Sequence, residues 1–118
     1  MSKNIYQKLL IFYIIAILAV STIPGGAIPK VNIWSFDKIL HIIEYFILAF
    51  LAINARKMVS TKTVVIIIII GTAYGGFNEI WQGVVAGRYA SIYDAIANGI
   101  GMIIGSMVTL KCFMFSHD

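Results

Sequence analysis

The sequence predicts an all-α membrane protein, with four transmembrane helices in a small bundle and both termini in the cytoplasm. Of 118 residues, 60% are hydrophobic and 12% are charged, and the mean hydropathy is +0.92. Soluble domains average about 45–50% apolar and about 25% charged residues. In addition, four apolar stretches approach the roughly 20 residues that a helix needs to cross the hydrocarbon core. One domain, residues 1–118, accommodates all four.

The first two predicted helices cover residues 5–23 and 36–55. Lys3 and Lys8 precede the first apolar run, so a cleaved signal peptide is the alternative interpretation. We favour a retained helix, because the run extends beyond a signal-peptide core and further spans follow it. A proline–glycine segment that begins at Pro24 ends this helix.

The third and fourth predicted helices cover residues 63–82 and 92–115. The third contains an uninterrupted run of valine and isoleucine, residues 64–70, that would suggest a strand in water. In lipid, an isolated strand leaves its backbone polar groups without partners. The sequence therefore predicts a helix here as well.

The placement of lysine and arginine predicts the orientation. With four spans, the side that holds both termini and the loop at 56–62 carries six basic residues, and the other side carries three. The richer side is predicted to be cytoplasmic, which puts the loops at 24–36 and 83–91 outside. The basic residues occur singly or in pairs between apolar runs, so the expected partner is the lipid bilayer and not a nucleic acid.

Polar residues gather near the predicted outer ends of the last three helices. Helical periodicity places the polar and glycine positions of each helix on one face. These faces hold Asp37, His41 and Glu44 on the second helix, Gly71, Gly75, Asn78, Glu79 and Gln82 on the third, and Asp94, Asn98, Gly101 and Gly105 on the fourth. Charged groups beside apolar spans are costly unless they are paired. We therefore expect a shared pocket near the outer interface that brings together His41, Glu79, Arg88 and Asp94.

Two glycine pairs predict close helix packing. Gly71 and Gly75 on the third helix, and Gly101 and Gly105 on the fourth, are each four residues apart. Small residues at this spacing let membrane helices approach closely. The third and fourth helices are therefore expected to pack against each other through these glycines.

The candidate catalytic residues are His41, Glu79 and Asp94. An imidazole titrates near neutral pH and suits proton transfer. Glu79, on the most apolar helix, is the candidate for a carboxyl group that stays protonated. Each residue also has a structural alternative: a packing hydrogen bond for His41, pairing with Arg88 for Glu79, and a capping-box role with Ser91 for Asp94.

Six further residues are predicted to contribute to binding: Asp37, Lys38, Glu44, Gln82, Arg88 and Asn98. The guanidinium group of Arg88 suits phosphate or carboxylate, and pairing with Asp94, Glu79 or lipid is the alternative. Asp37 and Glu44 could orient His41 or hold a metal. No metal-binding or nucleotide-binding motif is present, so the sequence assigns no metal and leaves the cofactor unknown.

These residues occur in an order that resembles the VanZ-like membrane proteins. The resemblance covers residues 37–105. Its motifs are Asp37-Lys38-x-x-His41-x-x-Glu44-Tyr45, Glu79-x-x-Gln82 and Arg88-x-x-Ser91-x-x-Asp94-x-x-x-Asn98-x-x-Gly101-x-x-x-Gly105. It implies a small multispan protein of the cell envelope. It also implies a link to glycopeptide resistance, chiefly to teicoplanin, with which the founding member of that family is associated.

Three classes of function fit these patterns. One is a membrane enzyme that acts on a polar headgroup, such as that of a lipid-linked envelope precursor. Another is a non-catalytic accessory protein that binds an envelope component. The third is a structural protein whose polar residues only position the helices. A polar stripe confined to the outer half argues against a proton-coupled transporter.

Overall fold

A computed structural model of the protein describes residues 3–24 and 34–116. These residues form four α-helices. They are α1 (Lys3–Thr22), α2 (Trp34–Asn54), α3 (Thr61–Val84) and α4 (Ile92–Ser116). All regular structure in the described residues is helical, and each helix begins and ends within two residues of its predicted bounds. The all-α prediction is confirmed. Most of the predicted proline–glycine break, and Lys30 within it, lie outside the described residues.

Three of the helices are long and apolar enough to cross a membrane. They are α1, α3 and the part of α4 from Ile92 to Cys112. The second helix is long enough, but it carries three charged residues, Asp37, Lys38 and Glu44. By length and composition, the predicted count of four apolar spans is therefore corrected to three, because charged side chains within a membrane helix are costly unless they are paired.

The interior of the bundle lies mainly between α2 and α4, which form the largest helix–helix interface. Tyr45 and Ala49 from α2 and Met102 from α4 are almost completely buried there. By contrast, the first helix contributes only Ile17 and Ser21 as buried residues, and most of its apolar side chains are exposed. An exposed apolar helix surface of this kind suits contact with lipid tails.

The two glycine pairs lie against different helices. A side chain added at Gly71 would meet Met102, and one added at Gly75 would meet Asn98, so both face α4 as the sequence predicted. Gly101 and Gly105 instead lie against α2. The predicted partner of the second pair is therefore corrected from α3 to α2. Periodicity shows which face a glycine occupies, but not which neighbour lies on that face.

Candidate functional site: a polar cluster at one end of the bundle

A polar cluster lies where α2 and α4 begin and α3 ends, which we call the polar end of the bundle. Its members are Asp37, Lys38 and His41 from α2, and Asp94 and Asn98 from α4. Asp37 retains 46% of its side-chain exposure, whereas Lys38 and Asp94 retain only 14% and 11%. The cluster is therefore largely buried and opens beside Asp37.

The imidazole of His41 is held in one orientation. Asn98 donates from Nδ2 to the Gly75 carbonyl over 3.3 Å, which leaves its Oδ1 as the acceptor for His41 Nδ1 at 2.8 Å. With its proton on Nδ1, the ring presents Nε2 to two carboxylates. Nε2 lies 3.5 Å from Asp94 Oδ2 and 4.0 Å from Asp37 Oδ1. The ring is thus placed for proton exchange or for holding a cation.

The ammonium group of Lys38 joins the same two carboxylates from another direction. It lies 3.0 Å from Asp37 Oδ2 and also forms an ion pair with Asp94 Oδ1. Each aspartate therefore uses one oxygen for Lys38 and turns the other toward His41. This division places both carboxylates around the ring nitrogen without leaving Lys38 unpaired.

Glu79 connects the cluster to α3 through the first turn of α4. Its Oε2 accepts a hydrogen bond from the Ser91 backbone N–H over 3.1 Å, and Ser91 Oγ accepts one from the Asp94 N–H over 3.3 Å. The predicted capping box is therefore only half formed by its own residues. Ser91 Oγ caps the helix as expected, but the Ser91 N–H is bound by Glu79 and not by Asp94. Because the N–H of Ser91 is already occupied, the Asp94 carboxylate is available to Lys38 and His41.

The other oxygen of Glu79 is buried. Glu79 as a whole is 4% exposed, and its Oε1 makes no hydrogen bond within residues 3–24 and 34–116. Since Gly75 lies opposite Asn98, the antiparallel register of α3 and α4 places Glu79, one turn further on, opposite Asp94. The carboxyl group of Glu79 therefore lies at the level of the cluster.

Arg88, predicted to join the pocket, lies against α1 instead. Its guanidinium group donates to the carbonyl oxygens of Val20 over 3.2 Å and of Ile23 over 2.8 Å. The last carbonyls of a helix have no partners within the helix and attract cationic donors. This contact corrects the prediction that Arg88 converges with His41, Glu79 and Asp94.

Gln82 lies apart from the cluster, and the hydrogen bond recorded for Glu44 also leads to α1. Gln82 is buried but donates to Ser21 Oγ on α1 over 3.4 Å, beside the contact that Arg88 makes. Glu44 is half-buried, and its backbone carbonyl accepts a hydrogen bond from the Tyr13 hydroxyl over 2.8 Å. Both residues contribute to the attachment of α1, although the sequence grouped them with the binding residues.

Tyr45 also belongs to this region, although it is not among the predicted site residues. It is 1% exposed, and its hydroxyl accepts a hydrogen bond from Asn78 Nδ2 over 3.1 Å. A signal was present, because Tyr45 lies one helical turn after His41 and therefore on the same face. It forms the inner boundary of the cluster between α2 and α3.

Inward from the cluster lies an apolar cavity of about 220 Å³ between all four helices. Its lining includes Leu10, Leu48, Ile67, Gly71 and Met102. Gly71 is one turn from Gly75, which contacts Asn98 of the cluster. A polar cluster and an apolar cavity therefore follow one another along the same side of α3.

Comparison with known proteins identifies a family. The family model described as VanZ/LLP1 matches residues 2–115, nearly the whole chain. No curated protein and no solved structure matches the chain.

Proposed function

Because this chain belongs to the VanZ/LLP1 family, we propose that it is a multi-pass protein of the cell membrane that binds or acts on the polar headgroup of a lipid or lipid-linked envelope precursor. The observation that carries the proposal is the arrangement of His41 Nε2 3.5 Å from Asp94 Oδ2, with Nδ1 held by Asn98. An imidazole oriented beside a carboxylate suits proton transfer. His41 or Glu79 handles the proton in this proposal.

All four helices cross the membrane in this proposal, including α2 with its three charged residues. The charges of Asp37 and Lys38 are directed into the cluster, while Ile39, Ile43 and Ile47 on other faces of the same helix are exposed. Ionisable residues within membrane helices characteristically face the protein interior in this way. In this proposal both termini lie in the cytoplasm and the polar end lies outside, which the distribution of basic residues supports.

The ligand proposed is amphiphilic. The polar cluster would contact its headgroup, and the apolar cavity of about 220 Å³ next to the cluster suits part of its hydrocarbon chain. Since Arg88 donates to α1 carbonyls, the groups of the cluster itself, led by Lys38 and His41, would contact the headgroup. The family's association with teicoplanin suggests that a changed envelope headgroup alters glycopeptide susceptibility.

A structural role is the second candidate, and a specific observation favours it. The Lys38–Asp94 ion pair and the His41–Asn98 hydrogen bond each join α2 to α4, so the same contacts could serve only to hold these helices together. In that case the loss of His41 would reduce stability and function together.

The headgroup function and the structural role can be distinguished by expressing the protein in a glycopeptide-susceptible host. The readouts are the headgroup composition of lipids and lipid-linked precursors by mass spectrometry, teicoplanin susceptibility, and thermal unfolding in detergent. We expect the wild-type chain to change the headgroup profile and His41→Gln to abolish the change without lowering the unfolding temperature appreciably. His117→Gln, the same substitution at the other histidine, should retain the wild-type profile.

Two outcomes would contradict the headgroup proposal. One is a headgroup profile identical to that of the empty vector. The other is a parallel loss of profile change and thermal stability in His41→Gln, which would establish the structural role. Labelling an introduced cysteine at Ala86, an exposed position in the loop between α3 and α4, from outside intact cells checks the orientation in the same strain.

A further inference from the structure

We propose that the polar cluster binds one divalent transition-metal ion through His41 Nε2 and one carboxylate oxygen each from Asp37 and Asp94. This inference rests on the proposed function in using the same cluster. It goes further by assigning His41 to the metal, which leaves Glu79 as the group that handles protons.

The spacing of the three groups is close to that of a metal site. Asp37, His41 and Asp94 each offer a ligand atom, and these atoms lie within 4.8 Å of one another. The His41 Nε2 distances to Asp94 Oδ2 and Asp37 Oδ1 are 3.5 Å and 4.0 Å. Tetrahedral zinc with bonds of about 2.0–2.1 Å separates its ligands by roughly 3.4 Å. Small side-chain rotations therefore suffice.

The carboxylate oxygens that face His41 are also the ones that Lys38 leaves available. The ammonium group pairs with Asp37 Oδ2 and Asp94 Oδ1, whereas the contacts of His41 Nε2 are with Asp37 Oδ1 and Asp94 Oδ2. Lys38 can therefore keep both contacts while the opposite oxygens bind a metal. Hydrogen-bonding partners of this kind orient the carboxylate ligands of metal sites.

The imidazole of His41 already has the hydrogen bonding that is typical of a metal ligand. Its Nδ1 donates to Asn98 Oδ1, and metal-binding histidines characteristically donate their second nitrogen to such an acceptor. The lone pair on Nε2 then points toward Asp37 and Asp94. Two anionic oxygens facing a lone pair repel it, so either a proton or a metal ion must lie between them.

An independent observation comes from Glu79 on α3. Its Oε1 is buried, makes no hydrogen bond within the described part of the chain, and lies at the level of Asp94 by helix register. A buried carboxylate oxygen without a donor is costly and indicates a cation or a proton nearby. Among the described residues, Asp37, Asp94 and Glu79 bring three carboxylates to this level of the bundle, and the ion pairs of Lys38 are with Asp37 and Asp94, so a divalent cation would offset the remaining negative charge.

The donor atoms indicate the class of ion. One nitrogen and two oxygens without sulfur suit Zn²⁺ or Mn²⁺, and three protein ligands leave a coordination position open. That position could accept a phosphate or carboxylate oxygen of a headgroup. The metal would thus provide the anion contact that the sequence assigned to Arg88.

Metal binding can be measured without knowing the headgroup. The test is isothermal titration of the full chain, purified in detergent and freed of metal by chelation, with Zn²⁺. We expect one Zn²⁺ per wild-type chain, a similar affinity in His117→Ala, and an affinity reduced at least tenfold in His41→Ala and Asp37→Asn. Asp37 is half-exposed, so its variant should remain folded.

Cobalt provides a second measurement on the unaltered protein. Co²⁺ bound to one nitrogen and two oxygens should give visible absorption bands that Zn²⁺ displaces, and these bands should be weakened in Asp37→Asn. No saturable binding in the wild type, or equal loss in His117→Ala, would overturn the metal assignment. A wild type that changes headgroups but binds no Zn²⁺ contradicts this inference alone. Zn²⁺ binding without any headgroup change contradicts only the proposed function.

Discussion

The fourth helix packs against its two neighbours in different ways. Toward α2, Gly105 approaches backbone: a side chain added there would lie 2.7 Å from the Phe46 carbonyl oxygen. Toward α3, the closest approaches are at glycines of the neighbour, where Gly71 and Gly75 receive side chains of α4, those of Met102 and Asn98. Both interfaces contain a pair of glycines four residues apart, but the glycines contact backbone atoms in one interface and side chains in the other.

This difference affects how much each interface tolerates change. A backbone carbonyl within a helix cannot move without disturbing its hydrogen bonds, whereas a side chain can adopt another rotamer. The α2–α4 interface also holds the Lys38–Asp94 ion pair and the His41–Asn98 hydrogen bond. We therefore expect α2 and α4 to form the more stable pair and the α3 contact to be more adaptable.

Gly101→Leu should produce the largest loss of stability. An added Cβ already overlaps the Ile42 carbonyl oxygen, so a leucine forces α2 and α4 apart. Overpacking usually costs about 1–3 kcal/mol, and we expect more than about 3 kcal/mol here because backbone must move. The matched control is Gly76→Leu, since nothing lies within 4 Å of an added Cβ there. Thermal unfolding in detergent measures both, and equal effects would remove the distinction between backbone and side-chain contacts.

Asp94→Asn should have the next largest effect. It removes the charge that Lys38 meets across the α2–α4 interface but keeps the shape of the side chain. Removing one partner of a buried pair costs about 3–5 kcal/mol, and we expect about 3 kcal/mol because Lys38 retains Asp37. Asp37→Asn, at a half-exposed position, should cost about 1 kcal/mol or less. Similar unfolding temperatures for the two variants would show that the ion pair contributes little to this interface.

Alanine substitutions at Gly75 and at Gly71 should lower the free energy of unfolding to different extents, which distinguishes the two contacts within the α3–α4 interface. At Gly75 the methyl group would lie 2.8 Å from Asn98 Cβ, and Asn98 is held by His41, so we expect a loss of about 1–3 kcal/mol. At Gly71 the flexible Met102 side chain can move, so the change should be within about 1 kcal/mol. A larger loss at Gly71 than at Gly75 in the same unfolding assay would contradict this order.

Helix positions and buried faces could be predicted because they depend on local properties of the chain. Apolar run length defined all four helices, and the three-to-four-residue spacing identified the α3 face from Gly71 to Gln82, whose polar and glycine positions are buried. Similarly, the sequence selected His41, Asp94 and Asn98, which the structure brings into contact. Each of these conclusions required only the geometry of one helix and the cost of exposing charge to lipid.

The partners of those faces depended on the tertiary structure. Arg88 and Gln82 bind α1, Gly101 lies against α2, and Glu79 occupies the Ser91 N–H that the sequence offered to Asp94. By itself, the sequence determined an all-helical protein and the faces that carry its polar residues and glycines, because periodicity is a property of a single helix. Only the packing of the four helices decided which polar groups meet, because each group had several oppositely charged or hydrogen-bonding partners available and the relative positions of the helices select among them.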